Sequence, residues 1–557
     1  MELPEIGPEE RTPLVEALLG IIRQMADHIA KLEQSNRELR DEIALLKGQK
    51  PRPQIRPSIL NSSDPPKEGA EEGPKRRIRG KPSRPKTAEL TIHKTVTLSP
   101  DNLPAGSVLK GHESYVVQDL VIRSENTKYV RARYDLPAGG SVLAPMPPGV
   151  LPIEGGHFGA GLVAHILDQY HQAHVTEPLL LEQLWEYGVD ISAGQLHRIL
   201  TDNKDVFHQE KAEVLAAALA VSSYIGTDDT GARHQGKNGY CTAIGNDLFA
   251  YFESTDNKSR LNFLQVLQGP SAEQRDFAIN DVAVAYWKRQ KLPAAPMEKL
   301  VPQENAPENS PENASENAWA CVGEAAWQAR LAELQITDER HRRIVTEGAM
   351  LGGLVARGVS PDLGVLSDGA PQFVVFVHAA CWVHAERPLA KLVPHNEEHR
   401  LAIEAVRTQI WDFYKDLKAY REHPDDAQKP VLTARFEALV NQRTDYPNIN
   451  AVLKEMRGNQ ADLLRVLERP EIPLHNNAEE SDIREFVKRR KISGGTHSDP
   501  GRRCRDTFAS LKKTCRKLGI RFWDFLQDRI RGLGQLPRLA DLIRQKAQPA
   551  APETTAE

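Results

Sequence analysis

The sequence predicts a multidomain α+β protein, because helical patterns and β-like apolar runs occupy separate parts of the chain. Apolar residues recur at helical spacing near the N-terminus and again at residues 388–470. Short β-favouring runs lie instead at residues 219–268 and 364–369. A chain of 557 residues is also too long for one hydrophobic core, so we expect several domains.

The composition is that of an ordinary folded protein and argues against membrane and secreted classes. Hydrophobic residues make up 40% of the chain and charged residues 27%, and no stretch approaches the roughly 20 apolar residues that cross a bilayer. Five scattered cysteines without a Cys-x-x-Cys pair predict a reducing compartment and no zinc site. We expect a cytoplasmic protein without membrane contact, whose net charge of −4 leaves nucleic-acid binding to local basic patches.

Residues 14–48 carry a heptad pattern. β-branched residues and one asparagine occupy the first core position, and leucine or methionine the second, in the series Leu18, Ile22, Met25, Ile29, Leu32, Asn36, Leu39, Ile43 and Leu46. This pattern favours a parallel two-stranded coiled coil whose register the buried asparagine fixes. We predict a homodimer; the alternative is an amphipathic helix that packs on its own domain.

Residues 49–88 are rich in proline, glycine and charge, which predicts a flexible linker. Its second half contains basic residues without an intervening acid, and we expect five of them to contact DNA phosphates: Lys75, Arg76, Arg77, Arg79 and Lys81. A basic tail that only improves solubility is the alternative.

Residues 89–158 are expected to form a small β domain. The β-branched runs Tyr115–Val117 and Tyr129–Arg131 flank a turn-forming pair, Asn126-Thr127.

Residues 159–206 predict three short helices. Helical patterns cover 162–173 and 178–187, and Ser192 with Gln195 forms a capping-box signature that opens a third helix after a glycine turn. The tight turn before the last helix fits a helix-turn-helix DNA-binding region, and an ordinary helical bundle is the alternative.

Acidic residues end two of the β-like runs and open one helix. Asp228 follows the run at 220–226, Asp368 follows Gly364–Ser367, and Glu480 opens a helical pattern that continues to Lys491. Phosphodiester cleavage by two Mg²⁺ ions needs about three carboxylates from separate elements. The pattern is compatible with such a site, and helix or strand capping is the alternative reading of each acid.

Further segments separate these acids, and we expect the following order. The catalytic fold occupies 207–268, 361–387 and 473–502; an excursion with an acidic low-complexity tract occupies 269–360; a helical insertion occupies 388–472; a basic helical region and a disordered tail occupy 503–545 and 546–557.

Short motifs in this order resemble the insertion-sequence sixty-six (IS66) family of DDE transposases over residues 160–268 and 361–535. They are Asp228-Asp229-Thr230, Lys258-Ser259-Arg260, Leu366-Ser367-Asp368-Gly369, Cys381-Trp382-Val383-His384-Ala385, Asn476-Asn477-Ala478-Glu479-Glu480 with Arg484, Arg490-Lys491, Gly494-Gly495, Ser498-Asp499-Pro500-Gly501, and Gly519-Ile520 through Phe525-Leu526. Glu479 beside Glu480 leaves a one-residue ambiguity, which Arg484 resolves in favour of Glu480.

The resemblance implies an RNase-H-like mixed α/β catalytic domain with helical insertions. It implies that Asp228, Asp368 and Glu480 are catalytic and hold two Mg²⁺ ions, which Mn²⁺ can replace. The implied activity is cleavage and strand transfer at the ends of a bacterial insertion sequence, with double-stranded DNA and accessory proteins of the same element as partners. Residues expected close to the site are Asp229, Thr230, Cys381, His384 and Asn477, and further DNA contacts are expected from Arg484, Lys488, Arg490 and Lys491.

The chain also departs from the family pattern. The family's cysteine pairs are absent from residues 90–158, and His475 replaces the acid before Asn-Asn. Two other functions stay open: a structure-specific nuclease on the same fold, which cuts without joining, and a DNA-binding or assembly factor without catalysis.

Overall fold

The computed structural model describes Val15 and residues 91–104, 106–147, 157–269, 271–300 and 319–548. Apart from Val15, the predicted coiled coil lies outside the described residues. So do the linker with Lys75, Arg76, Arg77, Arg79 and Lys81, the acidic tract, and residues 549–557 of the predicted tail. The chain divides into two units, Met1–Gln118 and Asp119–Glu557. None of the described helices is long and apolar enough to span a membrane.

The strands expected at Tyr115–Val117 and Tyr129–Arg131 are not formed. Both segments lack regular structure, and Tyr115 is 91% and Val130 85% exposed. Within 91–104 and 106–147 the paired strands are β1 (Arg133–Asp135) and β2 (Ser141–Leu143), which form an antiparallel hairpin. The prediction was wrong because β-branched residues favour a strand only where a partner and a buried face receive them.

Three helices follow, as predicted, and a fourth leads into the sheet. They are α1 (Ala160–His171), α2 (Glu177–Glu186), α3 (Ala193–Thr201) and α4 (Asp205–Val221). The predicted capping box is present at α3, because the Gln195 amide donates to the Ser192 hydroxyl and the Ser192 amide donates to the Gln195 side chain. Leu167, Leu184 and Leu196 are buried in the core that α1–α3 share with the rest of the second unit.

A hairpin meander begins the main sheet. It consists of β3 (Tyr224–His234), β4 (Lys237–Gly245) and β5 (Ala250–Thr255), paired antiparallel in chain order. Helix α5 (Arg260–Gln268) follows β5.

Residues 269–360 are partly built into the core and are therefore more than an excursion. Their elements are a short 3₁₀ helix (Ala272–Gln274), β6 (Asp276–Ile279), α6 (Asp281–Arg289), α7 (Ala294–Leu300), β7 (Trp319–Val322), α8 (Glu324–Glu333) and α9 (Glu339–Ala356), with β6 and β7 paired antiparallel. Helix α9 is almost wholly buried from Ile344 to Leu354 and packs against β6 and α5. Its Gly352 and Gly353 permit that approach, since an added Cβ atom would collide with the β6 backbone.

Two parallel strands complete the sheet. Strands β8 (Gly364–Ser367) and β9 (Val377–Ala380), separated by a 3₁₀ turn (Pro371–Phe373), give the order β5-β4-β3-β8-β9, with β3, β8 and β9 mutually parallel. Helix α10 (Trp382–Ala390) starts directly after β9.

The predicted helical insertion is helical and has a hydrophobic cluster of its own. It contains α11 (Glu397–Glu422), α12 (Gln428–Asn441), α13 (Pro447–Gly458), α14 (Gln460–Leu463) and a 3₁₀ turn (Arg465–Leu467). Its core gathers aromatic and aliphatic residues such as Phe413, Phe436 and Ile449.

The C-terminal region is helical, also as predicted. Its helices are α15 (Asn477–Ser493), α16 (Asp499–Leu518), α17 (Phe522–Arg531) and α18 (Leu539–Ala547). Helix α16 covers the edge strand β5: side chains of Asp506, Ser510 and Thr514, four residues apart, accept hydrogen bonds from alternate β5 amides. The edge of the sheet is thereby closed to pairing with another strand.

Candidate active site

Asp228 lies within β3 and Asp368 directly follows β8, at the level where the pairing of these two parallel strands ends. Strands β3 and β8 pair with Gly226 opposite Leu366, and each aspartate follows two residues later. Adjacent strands run about 4.8 Å apart, so the two side chains leave the sheet side by side. The chain turns at Gly369, whose φ is +92°, and the Ala370 amide donates to Asp368 Oδ1 at 3.0 Å.

Glu480 reaches this edge from the first turn of α15. Its carboxylate meets three cationic or imidazole groups: Arg484 Nη2 lies 3.1 Å from one oxygen, and Arg387 Nη2 and His384 Nε2 lie 3.5 and 3.6 Å from the other. His384 and Arg387 stand on α10, which begins immediately beyond β9. The turn from β9 into α10 therefore brings basic groups to the acidic edge of the sheet.

The three carboxylates share one electrostatic environment. Burial raises the pKa of Asp228 to about 7, and the negative charges of Asp368, Asp229 and Glu480 add to the rise, while the Asp229 amide opposes it by donating a hydrogen bond to Asp228 at 2.8 Å. Both Glu480 and Asp368 are thus close enough to act on Asp228.

The donor set suits a hard divalent cation. Carboxylate oxygens are the ligands that Mg²⁺ and Mn²⁺ prefer. Over the part of the chain that the structure describes, no three His, Cys, Asp or Glu side chains are close enough together to hold a metal ion by themselves. Mg²⁺ usually keeps water molecules and takes substrate phosphate oxygens as ligands, so an open carboxylate edge fits an ion held jointly with DNA.

Asp229 and Thr230 contact residues other than the carboxylate cluster. Successive side chains of a strand point to opposite faces, and Asp229 accepts a hydrogen bond from Gln372 at 2.8 Å and lies 3.8 Å from Lys258 Nζ. The Thr230 hydroxyl accepts from Arg490 Nη1 at 3.3 Å.

Burial shifts the pKa values of both Cys381 and His384 towards the neutral forms. Cys381 is 1% exposed and burial raises the pKa of its thiol, which opposes a role as thiolate nucleophile or ligand. Burial and then Arg387 lower the pKa of His384, against the opposing charges of Glu480 and Asp368, so its imidazole is neutral near pH 7.

Of two neighbouring asparagines, the structure buries Asn476 and leaves Asn477 exposed. Asn477, expected near the site, is exposed at the start of α15. Asn476 is fully buried, and its amide nitrogen lies 3.5 Å from the Thr227 carbonyl oxygen, which ties the start of α15 to β3. Sequence spacing could not distinguish the two residues because both belong to the same Asn-Asn pair.

The adjacent acids Glu479 and Glu480 point to different places. Glu479 is 4% exposed and lies over Gly226, where a Cβ atom would come within 2.2 Å of its carboxyl carbon. Burial raises the pKa of Glu479 to about 7, with Lys517 opposing the rise. Glu480 is the one that faces the other two acids, as its influence on the pKa of Asp228 indicates.

The four basic residues expected on α15 divide into two groups. Arg484, Lys488 and Lys491 are exposed and accessible to a phosphate backbone. Arg490 instead turns inward and donates to the Gly231 carbonyl, so it ties α15 to β3. The sequence reasoning missed Arg387, whose i+3 spacing from His384 on one helix was the available signal.

Comparison with known proteins gives the class and then the family. The family model described as "Transposase IS66 family" matches residues 319–503, which include Asp368 and Glu480 and leave Asp228 outside. An uncharacterized protein, y4jO of Sinorhizobium fredii, is 38% identical over 335 residues, which are 60% of this chain and 100% of that protein. The class is therefore that of DNA transposases. The chain belongs to the IS66 transposase family of insertion sequences.

Proposed function

We propose that the protein is a DDE transposase that binds the ends of an insertion sequence and catalyses metal-dependent DNA cleavage and strand transfer. The observation that carries this proposal is the convergence of three acids: Asp228 and Asp368, each two residues beyond the last residue pair of the parallel strands β3 and β8, and Glu480, close enough to raise the pKa of Asp228. Family membership supports the same reading.

The sheet order supports an RNase-H-like catalytic domain. Three antiparallel strands are followed by two strands parallel to the first; Asp228 lies within β3, and Asp368 follows β8, the strand beside it. The third acid comes after a long helical insertion, on a helix that returns to the sheet.

The acidic and the basic residues of the site have different proposed roles. Asp228, Asp368 and Glu480 would hold two Mg²⁺ or Mn²⁺ ions, which supply an activated nucleophile and neutralise the leaving oxygen. Arg484 and Arg387 bind the non-bridging phosphate oxygens once DNA enters, because both guanidinium groups already meet a carboxylate oxygen at that edge. The neutral His384 imidazole orients Glu480.

Recognition of the ends is assigned to other segments of the chain. In the proposed helix-turn-helix, α3 carries the exposed side chains His197 and Arg198, which can enter a groove. We further propose that the heptads of residues 14–48 form a dimer and that the basic linker contacts DNA phosphates. Accessory proteins of the same element would assist.

The test is an assay of cleavage and strand transfer on DNA that carries the element's own ends, with Mg²⁺. We expect activity from the wild type, loss of about a thousandfold or more in Asp368→Asn, and near wild-type activity in Asp362→Asn, an exposed acid just before the other end of β8. Cleavage without joining would indicate a nuclease. End binding without cleavage or joining, even with the element's other proteins added, would indicate an assembly factor.

A further inference from the structure

A chain of hydrogen-bonding side chains connects the helical insertion to the residue that precedes Asp368. Asp462 Oδ2 lies 2.7 Å from His378 Nδ1, and His378 Nε2 lies 2.8 Å from the Ser367 hydroxyl. We propose that Asp462 and His378 are positioning residues for Asp368, through which the helical insertion sets the geometry of the proposed metal site. The inference rests on the proposed function of that site.

The hydrogen bonds of this chain can be followed from Asp462 to the turn after β8. A carboxylate only accepts, so His378 Nδ1 donates to Asp462. In the tautomer that carries its single proton on Nδ1, Nε2 accepts a hydrogen bond from the Ser367 hydroxyl. The oxygen of that hydroxyl accepts the Gly369 amide at 3.1 Å. The three hydrogen bonds thus link Asp462, His378 and Ser367 to the backbone amide of Gly369.

The turn that results holds Asp368 from both sides. The Gly369 amide is bound to the hydroxyl of the preceding serine, and the Ala370 amide is bound to Asp368 Oδ1. Gly369 takes a φ of +92°, which glycine adopts without strain. Loss of the Ser367 acceptor would free the Gly369 amide, whose hydrogen bond ties this turn to the end of β8.

Burial excludes a different use of the same three residue types. Ser, His and Asp also form hydrolytic triads, but Ser367 is 0% and His378 5% exposed. A substrate carbonyl cannot reach that hydroxyl. A positioning role remains, because the chain points toward Asp368 rather than toward solvent.

The helical insertion makes three hydrogen bonds to β9 and to the start of α10. Besides the Asp462 contact, Arg465 Nε donates to the His378 carbonyl at 3.1 Å, and Trp382 Nε1 donates to the Leu463 carbonyl at 2.9 Å. These contacts join α14 and the turn after it to β9 and α10. The insertion would therefore change the Asp368 turn if it shifted on DNA binding.

The experiment compares Asp462→Ala and Asp462→Asn with Asp416→Asn in the full chain. Asp416 pairs with Arg435 at 2.5 Å within the same insertion, between α11 and α12 rather than at the sheet. Hydrogen exchange of the peptide that contains Gly369 is measured without metal, and the Mg²⁺ concentration for half-maximal cleavage is measured on end DNA.

We expect Asp462→Ala to speed exchange of the Gly369 amide about tenfold or more and to raise the half-maximal Mg²⁺ concentration several-fold, with end binding unchanged. Asp462→Asn keeps an acceptor for Nδ1 and should recover most of both effects. Asp416→Asn should alter neither.

Unchanged exchange at Gly369 in Asp462→Ala would overturn the inference. So would a loss of activity that follows the fall in melting temperature equally in Asp462→Ala and Asp416→Asn, with no change in metal dependence. If the wild type neither cuts nor joins DNA, the proposed function fails, yet the exchange measurement still decides whether Asp462 orders the Asp368 turn.

Discussion

At Asp228 the protein holds a carboxylate whose charge is disfavoured by burial and by the acids around it. Its folded-state pKa of about 7 lies above the ordinary value of 3.8. A raised carboxyl pKa means that the folded state binds the proton more tightly than the unfolded state does. Stability is therefore lost as pH rises from about 4 to about 7. Under the proposed function, a cation bound by the three acids would offset this cost.

Replacement of this charge should stabilise the metal-free protein. We expect Asp228→Asn to raise the free energy of unfolding by about 1–4 kcal/mol at pH 7.5 and to abolish cleavage. The gain should shrink toward zero near pH 4, where the wild-type carboxyl is protonated. Thermal unfolding at both pH values measures the difference. A lower melting temperature of the variant at pH 7.5 would contradict the electrostatic account.

Substitution of Arg387 tests whether this side chain binds the DNA phosphate at the proposed site. Its guanidinium lies 3.5 Å from Glu480 and is 41% exposed, so it can exchange that carboxylate for a phosphate oxygen. We expect Arg387→Gln to lower the cleavage rate about tenfold or more while end affinity changes only slightly.

The control for Arg387 is Arg435→Gln, which removes an ion pair within the helical insertion. Equal rates for the wild type and Arg387→Gln would remove Arg387 from the site. Equal losses in both variants would indicate a general effect on folding.

Among the elements, α15 is held in place by an ion-pair network with α16. Lys513 Nζ lies 2.6 Å from Glu485 and 3.2 Å from Asp482, and Lys512 also pairs with Glu485. The lysines that make the C-terminal region basic in sequence thus face inward, toward the helix that carries Glu480. Their charges are paired with acids of α15, the helix that carries Glu480.

The pH dependence of this network is opposite in sign to that of Asp228. Burial alone would raise the pKa of Glu485, but Lys512 and Lys513 lower it to about 2. A lowered carboxyl pKa contributes stability that is present above about 4.5 and is lost as pH falls from there toward 2. We expect Glu485→Gln to lower stability by about 3 kcal/mol at pH 7, with little effect near pH 2.

Melting temperatures across this pH range test the prediction. Glu397→Gln, which removes an exposed acid paired with Arg400 on α11, is the matched control and should change little. A Glu485→Gln penalty that stayed constant down to pH 2 would show that packing, not charge, accounts for the loss.

Helices could be predicted from the sequence better than strands, for a physical reason. The signals of a helix are local, and the Ser192–Gln195 capping box marks the start of α3 as the structure has it. A strand needs a partner, so β-branched runs such as Tyr115–Val117 predicted strands that do not form. Residues 269–360 were expected to lie outside the catalytic fold, yet α9 packs into the core; burial on nearly all sides and two glycines hide that packing in the sequence.

Over the whole molecule, the sequence pointed to three acids that the fold brings near one another, but not to the residues around them. The three acids were proposed because each ends or opens a regular pattern in the sequence and because the motifs resemble a family; in the structure Asp228 lies within β3. The contacts that shape the site join residues far apart in the chain, such as Arg387 with Glu480 and His378 with Asp462. No local spacing encodes those pairs, since they depend on how the helical insertion returns to the sheet.

The central claim is that Asp228, Asp368 and Glu480 together bind the metal ions of a transposase. The most direct measurement is Mn²⁺ binding, by electron paramagnetic resonance, to the protein with end DNA. The variants are Asp228→Asn, Asp368→Asn and Glu480→Gln, and the buried neighbour supplies the control, Glu479→Gln. We predict binding weakened about tenfold or more, with loss of strand transfer, in the first three variants and neither change in the control. Mn²⁺ binding that survives Glu480→Gln and is lost in Glu479→Gln would contradict this assignment, and binding that is unchanged in all four would contradict the metal site itself.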